Sequence, residues 1–432
     1  MPRKIEPGDI LLAVLVLTPL AMAGPRLWGL QGEGVVWLLS LAGRVTAVLG
    51  LAALLMTAAM CVRLPGLDRW FGGLPRLWLL HRRLGFTAFM LILGHILLLS
   101  FAALPLSPAA AVRVLFPPLS HAPIWAGWLA LVALIVALAP TFQLSAGIHY
   151  QRWKRLHLLS AAALLLALLH ALPLVPESSA WWLLSLLAGA AIAWRKLLAP
   201  VLARREYAVA AVTPLAPDVV EISLRPTHQG IAHAPGQFVY LTPQDPSLAA
   251  GRGEEHPFTI TSAPGAPELK LGIKALGDAS RALQALTPGS QVQLEGPYGQ
   301  FFARRAPQRK QLWLGGGIGI TPFVSAARHV AARPDSVDRV ALFYLANRPE
   351  RAYYHDELER IAAAHEQLSL CIHYFSCCGP LSEAFLREHC PDFGERELYL
   401  CGPPAMLEYL HGLLATAGVD PAFIHTEAFD FL

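Results

Sequence analysis

A chain of 432 residues with 55% hydrophobic and 15% charged residues lies outside the composition of ordinary soluble proteins, so a membrane protein is the first class to consider. The net charge of +4 is small and the lysines and arginines are dispersed, which argues against a nucleic-acid-binding protein. The six cysteines form no C-x-x-C pair and show no zinc spacing, so we expect them to be reduced. The apolar excess is concentrated in residues 1–200, and residues 205–432 have the mixed texture of α/β or β domains.

Six apolar stretches in the first 200 residues are each about long enough to cross a bilayer, which takes ~20 residues. They lie at 10–24, 35–61, 79–103, 124–144, 156–174 and 180–199. Arginine and lysine are concentrated in the connector between the second and third stretches and in the one between the fourth and fifth. By the positive-inside rule, these connectors and both termini are cytoplasmic. Residues 1–200 are therefore predicted to form a six-helix transmembrane bundle.

Four histidines lie inside two of these spans, where an ionisable residue is costly and is a candidate for function. The third span carries His81 and His95, fourteen residues apart, and the fifth carries His157 and His170, thirteen residues apart. At ~1.5 Å per residue each spacing covers about 20 Å along its helix, so His81 would face His157 and His95 would face His170. Two imidazoles at one depth can hold a haem iron from both sides. The spacing predicts two stacked b-type haems, and scattered helix-end histidines are the alternative.

The two spacings differ in helical phase. Fourteen residues bring His81 and His95 close to one face of an ideal helix, whereas thirteen residues leave His157 and His170 about 140° apart. The fifth span must therefore overwind, bend or meet the haems from different sides. His121 and His149 stay unpaired in this scheme and are expected at the surface.

The second half of the chain is predicted to form two domains. Residues 205–303 contain short β-rich runs separated by Pro and Gly, a pattern typical of a small antiparallel β-barrel. Residues 308–432 begin with a strand, a glycine-rich turn and a helix, and further strands alternate with helices, which predicts an α/β nucleotide domain with a parallel sheet. The turn would let the backbone approach a pyrophosphate, with a tight packing turn as the alternative. Its glycines are Gly315, Gly316, Gly317 and Gly319.

Four short motifs follow one another in this half: HPFTITSAP at 256–264, GPYGQF at 296–301, GGGIGITP at 315–322 and CGPP at 401–404. In this order they resemble the motifs of ferredoxin-reductase-type flavoproteins. Joined to six spans with paired histidines, nearly the whole chain resembles the NADPH oxidase and ferric reductase superfamily. The resemblance implies a bacterial inner-membrane enzyme that passes electrons from NADPH, or NADH, through FAD and two haems to an acceptor on the outer face, either dioxygen or a ferric chelate.

The resemblance also implies the residues of the flavin site. His256 and Pro257 would lie beside the FAD phosphates, Phe258 would pack near the isoalloxazine ring, and Thr259 would hydrogen-bond the flavin. Ser262 belongs to the same motif, and the segment from Gly272 to Ser280 would support the pyrophosphate. An aromatic residue after an acidic one would cover the flavin. Here that aromatic is Phe429 after Glu427, with Phe431 as the alternative.

At the nicotinamide site, the resemblance implies a frame made by Thr321 and Pro322 on one side and by the CGPP segment on the other. The CGPP residues are Cys401, Gly402, Pro403 and Pro404. Thr259, Cys401 and Phe429 would lie closest to the reaction, with Cys401 in a positioning role. Arg348 and Arg351 offer guanidinium groups for a 2′-phosphate, which favours NADPH, and solvated loop arginines are the alternative.

Two other functions remain open at this point. One is a flavin reductase whose membrane half only anchors it. The other is a haem-binding membrane subunit that donates electrons to, or docks, a partner redox protein or a quinone. The intact motifs favour an active oxidoreductase, and because no EF-hand pattern is present we expect no obligatory regulatory subunit.

Overall fold

The computed structural model describes residues 5–28, 34–142, 150–175, 179–303, 310–336 and 339–428. They form two compact units. The first, the helical unit, comprises the residues up to Leu64 together with Arg76–Leu198. The second, the two-sheet unit, comprises Pro65–Pro75 with Ala199–Leu432.

The helical unit is built from apolar helices rich in Leu and Ala, two of the residues that favour helix most strongly. Its helices are α1 (Pro7–Trp28), α2 (Gly34–Ala59), α3 (Leu74–Ala103), α4 (Pro108–Leu115), α5 (Ala122–Leu138), α6 (Tyr150–His157), α7 (Leu159–Ala171) and α8 (Ser179–Ala193). Among the described residues six stretches are long and apolar enough to cross a membrane: Pro7–Gly24, Gly34–Ala59, Leu74–Ala103, Ala122–Thr141, Arg152–Ala171 and Ser179–Leu202. The prediction of a multi-pass membrane protein with six spans is confirmed.

Packing inside the helical unit depends on small residues that let helices approach closely. A Cβ on Gly43 of α2 would lie 2.8 Å from Leu99, and one on Gly50 would lie 3.2 Å from Ile92, both on α3. Large apolar side chains remain on the outside, such as Leu97 at 55% exposure and Leu165 at 65% exposure. Such a surface suits contact with lipid and not with water.

The first sheet of the two-sheet unit has six antiparallel strands in the order β4-β3-β6-β1-β2-β5. The strands are β1 (Arg204–Ala216), β2 (Val219–Pro226), β3 (Phe238–Pro243), β4 (His256–Thr259), β5 (Leu269–Lys274) and β6 (Gln291–Tyr298). The sheet curls until Ile260, just past β4, forms an isolated bridge to Leu271 of β5. The predicted barrel is therefore a curled sheet that is not closed by a ladder. Pro257 contributes to this because it has no N–H to donate, which keeps β4 an edge strand.

The second sheet has five strands in the order β11-β10-β7-β8-β9, all parallel, which confirms the predicted parallel sheet of an α/β fold. Its strands are β7 (Gln311–Gly316), β8 (Val340–Ala346), β9 (Leu368–Tyr374), β10 (Glu397–Gly402) and β11 (Ile424–Ala428). From β7 the chain builds outward through β8 and β9, then returns to the other side of β7 for β10. The carboxyl ends of β7 and β10 therefore flank the point where strand order reverses, the usual ligand crevice of such sheets.

Short helices connect the strands of the two-sheet unit. They are α9 (Ala199–Leu202), α10 (Asp278–Leu283), α11 (Thr321–Ala332), α12 (His355–Ala364), α13 (Phe375–Cys378), α14 (Glu383–His389) and α15 (Pro404–Thr416). The core beside α11 is formed by Trp313, Phe323, Tyr344 and Tyr399, all fully buried or nearly so.

Candidate functional site

The four histidines predicted from spacing come together as two pairs in the helical unit. The ring centroids of His81 on α3 and His157 on α6 are 6.3 Å apart, and those of His95 on α3 and His170 on α7 are also 6.3 Å apart. Two imidazoles on opposite sides of one metal ion have centroids about 6.4 Å apart, from bonds of ~2.0 Å and ~1.2 Å between nitrogen and centroid. Both pairs therefore have the separation that axial ligation of a haem iron requires.

The other ring nitrogen of three of these histidines is hydrogen-bonded to a backbone carbonyl. Nδ1 lies 2.9 Å from the Thr57 oxygen in His81, 2.9 Å from the Gly43 oxygen in His95 and 2.8 Å from the Pro123 oxygen in His170. A carbonyl can only accept, so each Nδ1 carries the proton and Nε2 is left as a lone-pair donor. Nδ1 of the fourth, His157, is buried and makes no bond of ordinary length among the described residues. The donor set fits haem iron.

The fifth span is locally overwound between its two histidines. Helix α6 ends at His157 and α7 starts at Leu159. Around the junction the Leu158 N–H donates to Arg155 and the Ala161 N–H donates to Leu158, both three residues back. Bonds of this kind tighten the helix to ~3 residues per turn, which adds rotation over the thirteen-residue spacing. The overwinding therefore supplies part of the rotation that brings His157 and His170 toward one face.

A glycine on α5 makes room for one of the histidines. A Cβ on Gly127 would lie 2.9 Å from Nδ1 and 3.0 Å from Cγ of His170. The same ring donates to Pro123, one turn earlier on the same helix. The ring of His170 is therefore held against a stretch of α5 that has space only because residue 127 lacks a side chain.

Gly127→Ala is expected to push the His170 ring away from α5 and to break its bond to Pro123. Because overpacking costs about 1–3 kcal/mol locally, the fold should survive while the His95–His170 pair loses its spacing. We expect a lower haem content per purified chain. Gly189→Ala on α8 is the matched control, because a Cβ there meets nothing within 4 Å. Identical haem contents in both variants and the parent chain would show that Gly127 does not position His170.

The predicted flavin residues lie together on and after β4. His256, Pro257, Phe258 and Thr259 form the strand and pair with β3. Thr259 is buried, while Phe258 is partly buried against the core of the curled sheet. Ser262 follows, and its hydroxyl accepts the N–H of Lys270 at 3.1 Å. The motif is therefore one continuous edge of the curled sheet.

Two predicted pyrophosphate residues have other contacts in the structure. A Cβ on Gly272 would lie 2.7 Å from the Tyr354 hydroxyl and 2.8 Å from Cγ2 of Thr321, so this glycine lets the curled sheet approach the nucleotide domain. The Ser280 hydroxyl accepts the N–H groups of Leu276 and Gly277, both at 2.9 Å, and so shapes its own turn. Any contact of this segment with a pyrophosphate has to come mainly from its backbone.

A buried ion network joins the curled sheet to the nucleotide domain. Arg328 on α11 donates to both oxygens of Glu221 on β2, at 2.9 and 3.1 Å, and to both oxygens of Glu357 on α12, at 2.7 Å each. Thr261 and Tyr354 donate to the same Glu221 carboxylate at 2.7 and 3.2 Å. The sequence signal for this network was an acidic residue inside the otherwise apolar run VVEISL.

Arg328→Met is expected to destabilise the two-sheet unit, because it leaves the Glu221 charge buried without its main partner. Removing one member of a buried pair costs about 3–5 kcal/mol of the free energy of unfolding. Urea unfolding followed by proteolysis of this unit measures the loss. The control is Arg387→Met, which breaks an exposed pair with Glu383 on α14 and should cost under about 0.5 kcal/mol. Equal losses in the two variants would contradict the structural role of the network.

The same network gives a pH dependence. Burial by itself raises the pKa of Glu221, but the hydrogen bonds and charge of Arg328 more than offset this and hold the pKa below its usual value. A carboxyl group with a lowered folded-state pKa contributes stability above its unfolded pKa and loses that contribution as the pH falls through the folded pKa. We therefore expect the unfolding free energy to drop below about pH 4.5, with a smaller drop in Glu221→Gln.

The glycine-rich turn lies at the carboxyl end of β7, beside the end of β10. A Cβ on Gly319 would lie 2.6 Å from the carbonyl oxygen of Cys401 and 2.6 Å from Cα of Gly402. Gly315 packs in the same way on Ile320 and Phe323, and Gly316 on Met406. Gly317 has a φ of +56°, a conformation that favours glycine. The GGGIGITP and CGPP motifs thus meet at the crevice predicted for the nucleotide.

The remaining residues predicted for the nicotinamide site frame this crevice. Thr321 and Pro322 begin α11, and the Thr321 hydroxyl donates to the Ile318 carbonyl at 2.9 Å. Cys401 is fully buried at the end of β10, where burial raises the pKa of its thiol well above the usual value. A neutral thiol is a poor nucleophile, which agrees with a positioning role. Pro403 directly precedes α15.

Strand β11 brings an acidic side chain to the same edge of the sheet. Glu427 pairs in register with Cys401, and burial raises the pKa of its carboxyl to about 8. Phe429, two residues after Glu427, and Phe431 lie outside the described residues, so the predicted aromatic cover stays a prediction.

The two arginines expected near the nucleotide phosphate differ in their contacts and exposure. Arg351 is paired with Asp218 of the curled sheet at 2.6 Å, so its guanidinium group is already engaged. Arg348 is exposed on the loop after β8. Of these two arginines, Arg348 is the one whose exposure suits a phosphate ligand.

Comparison with known families assigns each part of this architecture. The family "Ferric reductase like transmembrane component" matches residues 46–168. An FAD-binding domain family matches residues 204–301, and an oxidoreductase NAD-binding domain family matches residues 313–411.

Relatives match about half of the chain. A glycine betaine monooxygenase reductase subunit of Pseudomonas aeruginosa is 34% identical over 208 residues, which cover 45% of this chain and 56% of that protein. The reductase component of propane 2-monooxygenase of Rhodococcus jostii is 26% identical over 242 residues, or 51% of this chain and 62% of that protein. The FAD/NAD-binding domain of a nitric oxide dioxygenase from Vibrio cholerae is 24% identical, with a TM-score of 0.46, covering 52% of this chain and 98% of that domain.

The chain thus spans little more than half the length of the curated relatives that it matches. The three family matches, by contrast, follow one another along most of the chain, from residue 46 to residue 411. A ferric-reductase-like transmembrane domain followed by FAD- and NAD-binding domains matches the fused architecture of the ferric reductase and NADPH oxidase type.

Proposed function

We propose that this protein is an oxidoreductase that carries electrons from NAD(P)H across a membrane to an acceptor on the other face. The observation that carries the proposal is the pair of matched histidine spacings, each with centroids 6.3 Å apart, inside a bundle fused to FAD- and NAD-binding domains. A flavin reductase with a purely anchoring bundle would not need two such pairs.

Two haems would be held by His81 with His157 and by His95 with His170. The three Nδ1 hydrogen bonds fix the neutral tautomer and leave Nε2 of each of these rings free to bind iron. The fourteen residues between His81 and His95 separate the two levels by about 20 Å along α3. If two imidazoles hold each iron, an acceptor would receive its electron without binding to the metal.

The two-sheet unit would hold the nucleotide and the flavin. A flavin, when bound, accepts the two electrons of a hydride together and releases them one at a time, as haems require. In this chain Thr259 would donate its hydroxyl to the flavin and Phe258 would cover its apolar surface. Thr321 and Cys401 would fix the nicotinamide, and the turn at Gly319 would give the phosphates access to backbone N–H groups.

The orientation and the acceptor are part of the same proposal. By the positive-inside rule, the basic connectors support a cytoplasmic position for both termini and the two-sheet unit, which suits a supply of NAD(P)H. The His95–His170 pair then lies toward the outer face, where dioxygen or a ferric chelate would take the electron. The inner membrane of a bacterium is the location that this arrangement predicts.

Cofactor analysis of the purified full-length protein tests the proposal. We expect one FAD and two b-type haems per chain, with the low-spin spectrum of bis-histidine ligation. A flavin content near one per chain with no haem would contradict the proposal. The protein would then be a flavin reductase whose helical bundle only anchors it.

A second function is favoured by the relatives, whose names describe reductase subunits or components of larger systems. The chain could be a haem-binding subunit that donates electrons to a partner redox protein or a quinone. Rapid reoxidation of reduced haem by dioxygen or ferric citrate in the isolated protein would favour the first function. Reoxidation only after addition of a quinone, or of membrane extract, would favour the second.

A further inference from the structure

Two adjacent thiols lie at the carboxyl end of strand β9. Cys377 and Cys378 close the short helix α13 and are both exposed. Their sulfur atoms are 3.1 Å apart, and the remaining four cysteines are buried or half-buried. No part of the electron path proposed above uses either thiol.

The position of these thiols relates them to the nucleotide crevice. In a parallel sheet all carboxyl ends lie along one edge, so α13 shares its edge with the glycine turn after β7 and the CGPP segment after β10. If a dinucleotide has its pyrophosphate at the glycine turn and its nicotinamide toward β10, its adenosine has to extend in the direction away from β10. That direction runs over the ends of β8 and β9, which lie ~4.8 and ~9.6 Å from β7.

A backbone hydrogen bond links the thiol segment to the loop that carries the exposed arginine. The Ser376 N–H donates to the Asn347 carbonyl at 3.0 Å, and Arg348 is the next residue. The turn itself is closed by the Gly379 N–H, which donates to Phe375 at 3.0 Å. Any change in the turn that holds Cys377 and Cys378 is therefore transmitted directly to Asn347.

We propose that Cys377 and Cys378 form a reversible oxidation site at the adenosine end of the nucleotide crevice, where formation of a disulfide weakens nucleotide binding. The inference rests on the proposed function and deepens it. An external small-molecule disulfide of the glutathione type is the oxidant. One S–S bond forms between the two cysteines, and their two protons and two electrons convert the oxidant's S–S bond into two thiols.

The geometry makes this disulfide both disruptive and easy to reduce. Neighbouring Cα atoms are ~3.8 Å apart across a trans peptide, below the ~4.4–6.8 Å that disulfides usually span. Ring closure therefore strains the Cys377–Cys378 turn, and strained exposed disulfides are the labile ones. The strain reaches Ser376 and Gly379, the two residues whose N–H groups hold the turn and its link to Asn347.

The first test measures thiol protection in the full-length protein in detergent. Alkylation of the peptide holding Cys377 and Cys378 is followed by mass spectrometry with and without 2′,5′-ADP or ADP-ribose, which carry the adenosine half alone. We expect these probes to slow alkylation by about fivefold or more, while Cys61 in the helical unit keeps its rate. Unchanged alkylation at saturating probe would overturn the placement of the thiols in the crevice.

The second test measures the effect of oxidation. Treatment with oxidised glutathione should lower the mass of that peptide by about 2 Da, reversibly with dithiothreitol, and should raise the dissociation constant of 2′,5′-ADP by about fivefold or more. Cys377→Ser and Cys378→Ser should each abolish the response, while the matched variant Cys371→Ser on β9 keeps it. A disulfide that forms without changing the dissociation constant would overturn the inference.

Failure of the proposed function and failure of the thiol inference give different results in these experiments. If no probe binds the reduced protein, the nucleotide site itself is absent and the electron path fails with it. If the probe binds the reduced and the oxidised protein equally, nucleotide-driven reduction stands and only the thiol inference falls. The haem content of the parent chain does not depend on nucleotide binding and reports on the electron path separately.

Discussion

Replacing both His95 and His170 with alanine is expected to remove one of the two haems and to stop electron delivery beyond the flavin and the remaining haem. The two rings face each other at 6.3 Å, and after the double change this site has no histidine ligand on either side. Nucleotide-driven reduction of a soluble dye by the flavin should continue at the parental rate. Haem per chain and the rate of ferric citrate reduction measure the two effects.

The matching control is His121→Ala, an exposed residue in the described part of the loop before α5. It should keep both haems and the parental rate. The double variant His81→Ala/His157→Ala should likewise lose one haem. If either of these two double variants kept two haems per chain, the histidine pairs could not be the haem ligands.

Gly319→Ala is expected to lower nucleotide-dependent flavin reduction by about 100-fold, because a displacement of about 1 Å at a reacting group has an effect of this size. The new Cβ would lie 2.6 Å from backbone atoms of both Cys401 and Gly402. These are rigid groups at the end of a central strand, so the glycine turn has to separate from the CGPP segment. The two motifs that would frame the nicotinamide then no longer meet.

Gly412→Ala on α15 is the control for this change, since a Cβ at that position meets nothing within 4 Å. It should leave the rate unchanged. Stopped-flow reduction of the flavin by NADPH or NADH gives the rate, and the haem content confirms that the helical unit is intact. Wild-type flavin reduction in Gly319→Ala would show that the contact between the two motifs does not shape the nicotinamide site.

The predictable part of the architecture came from strong periodic or ordered signals. Long apolar runs specify spans because a bilayer demands them, and the order of strands and glycines specifies the nucleotide domain. The histidine spacing predicted pairs because helices convert sequence distance into height. It could not predict the overwinding at Leu158, because that depends on backbone hydrogen bonds that the residue types alone do not indicate.

The less predictable part depends on contacts between distant segments. Arg351 looked free to bind a phosphate, but Asp218, which is 133 residues away in sequence, holds it. Gly272 looked like a phosphate-binding glycine, yet it accommodates Tyr354 and Thr321. The closure of the curled sheet was overestimated because strand content alone does not show that Pro257 lies on an edge.

Anaerobic addition of NADPH, and separately of NADH, to the FAD-supplemented protein in detergent tests the central claim most directly. The account predicts that the flavin bleaches and that both haems then become reduced, with their absorption bands reappearing in the oxidised form after admission of air or a ferric chelate. Flavin bleaching with haem bands that stay oxidised would contradict the account, because the histidine pairs would then lie on no electron path from the nucleotide.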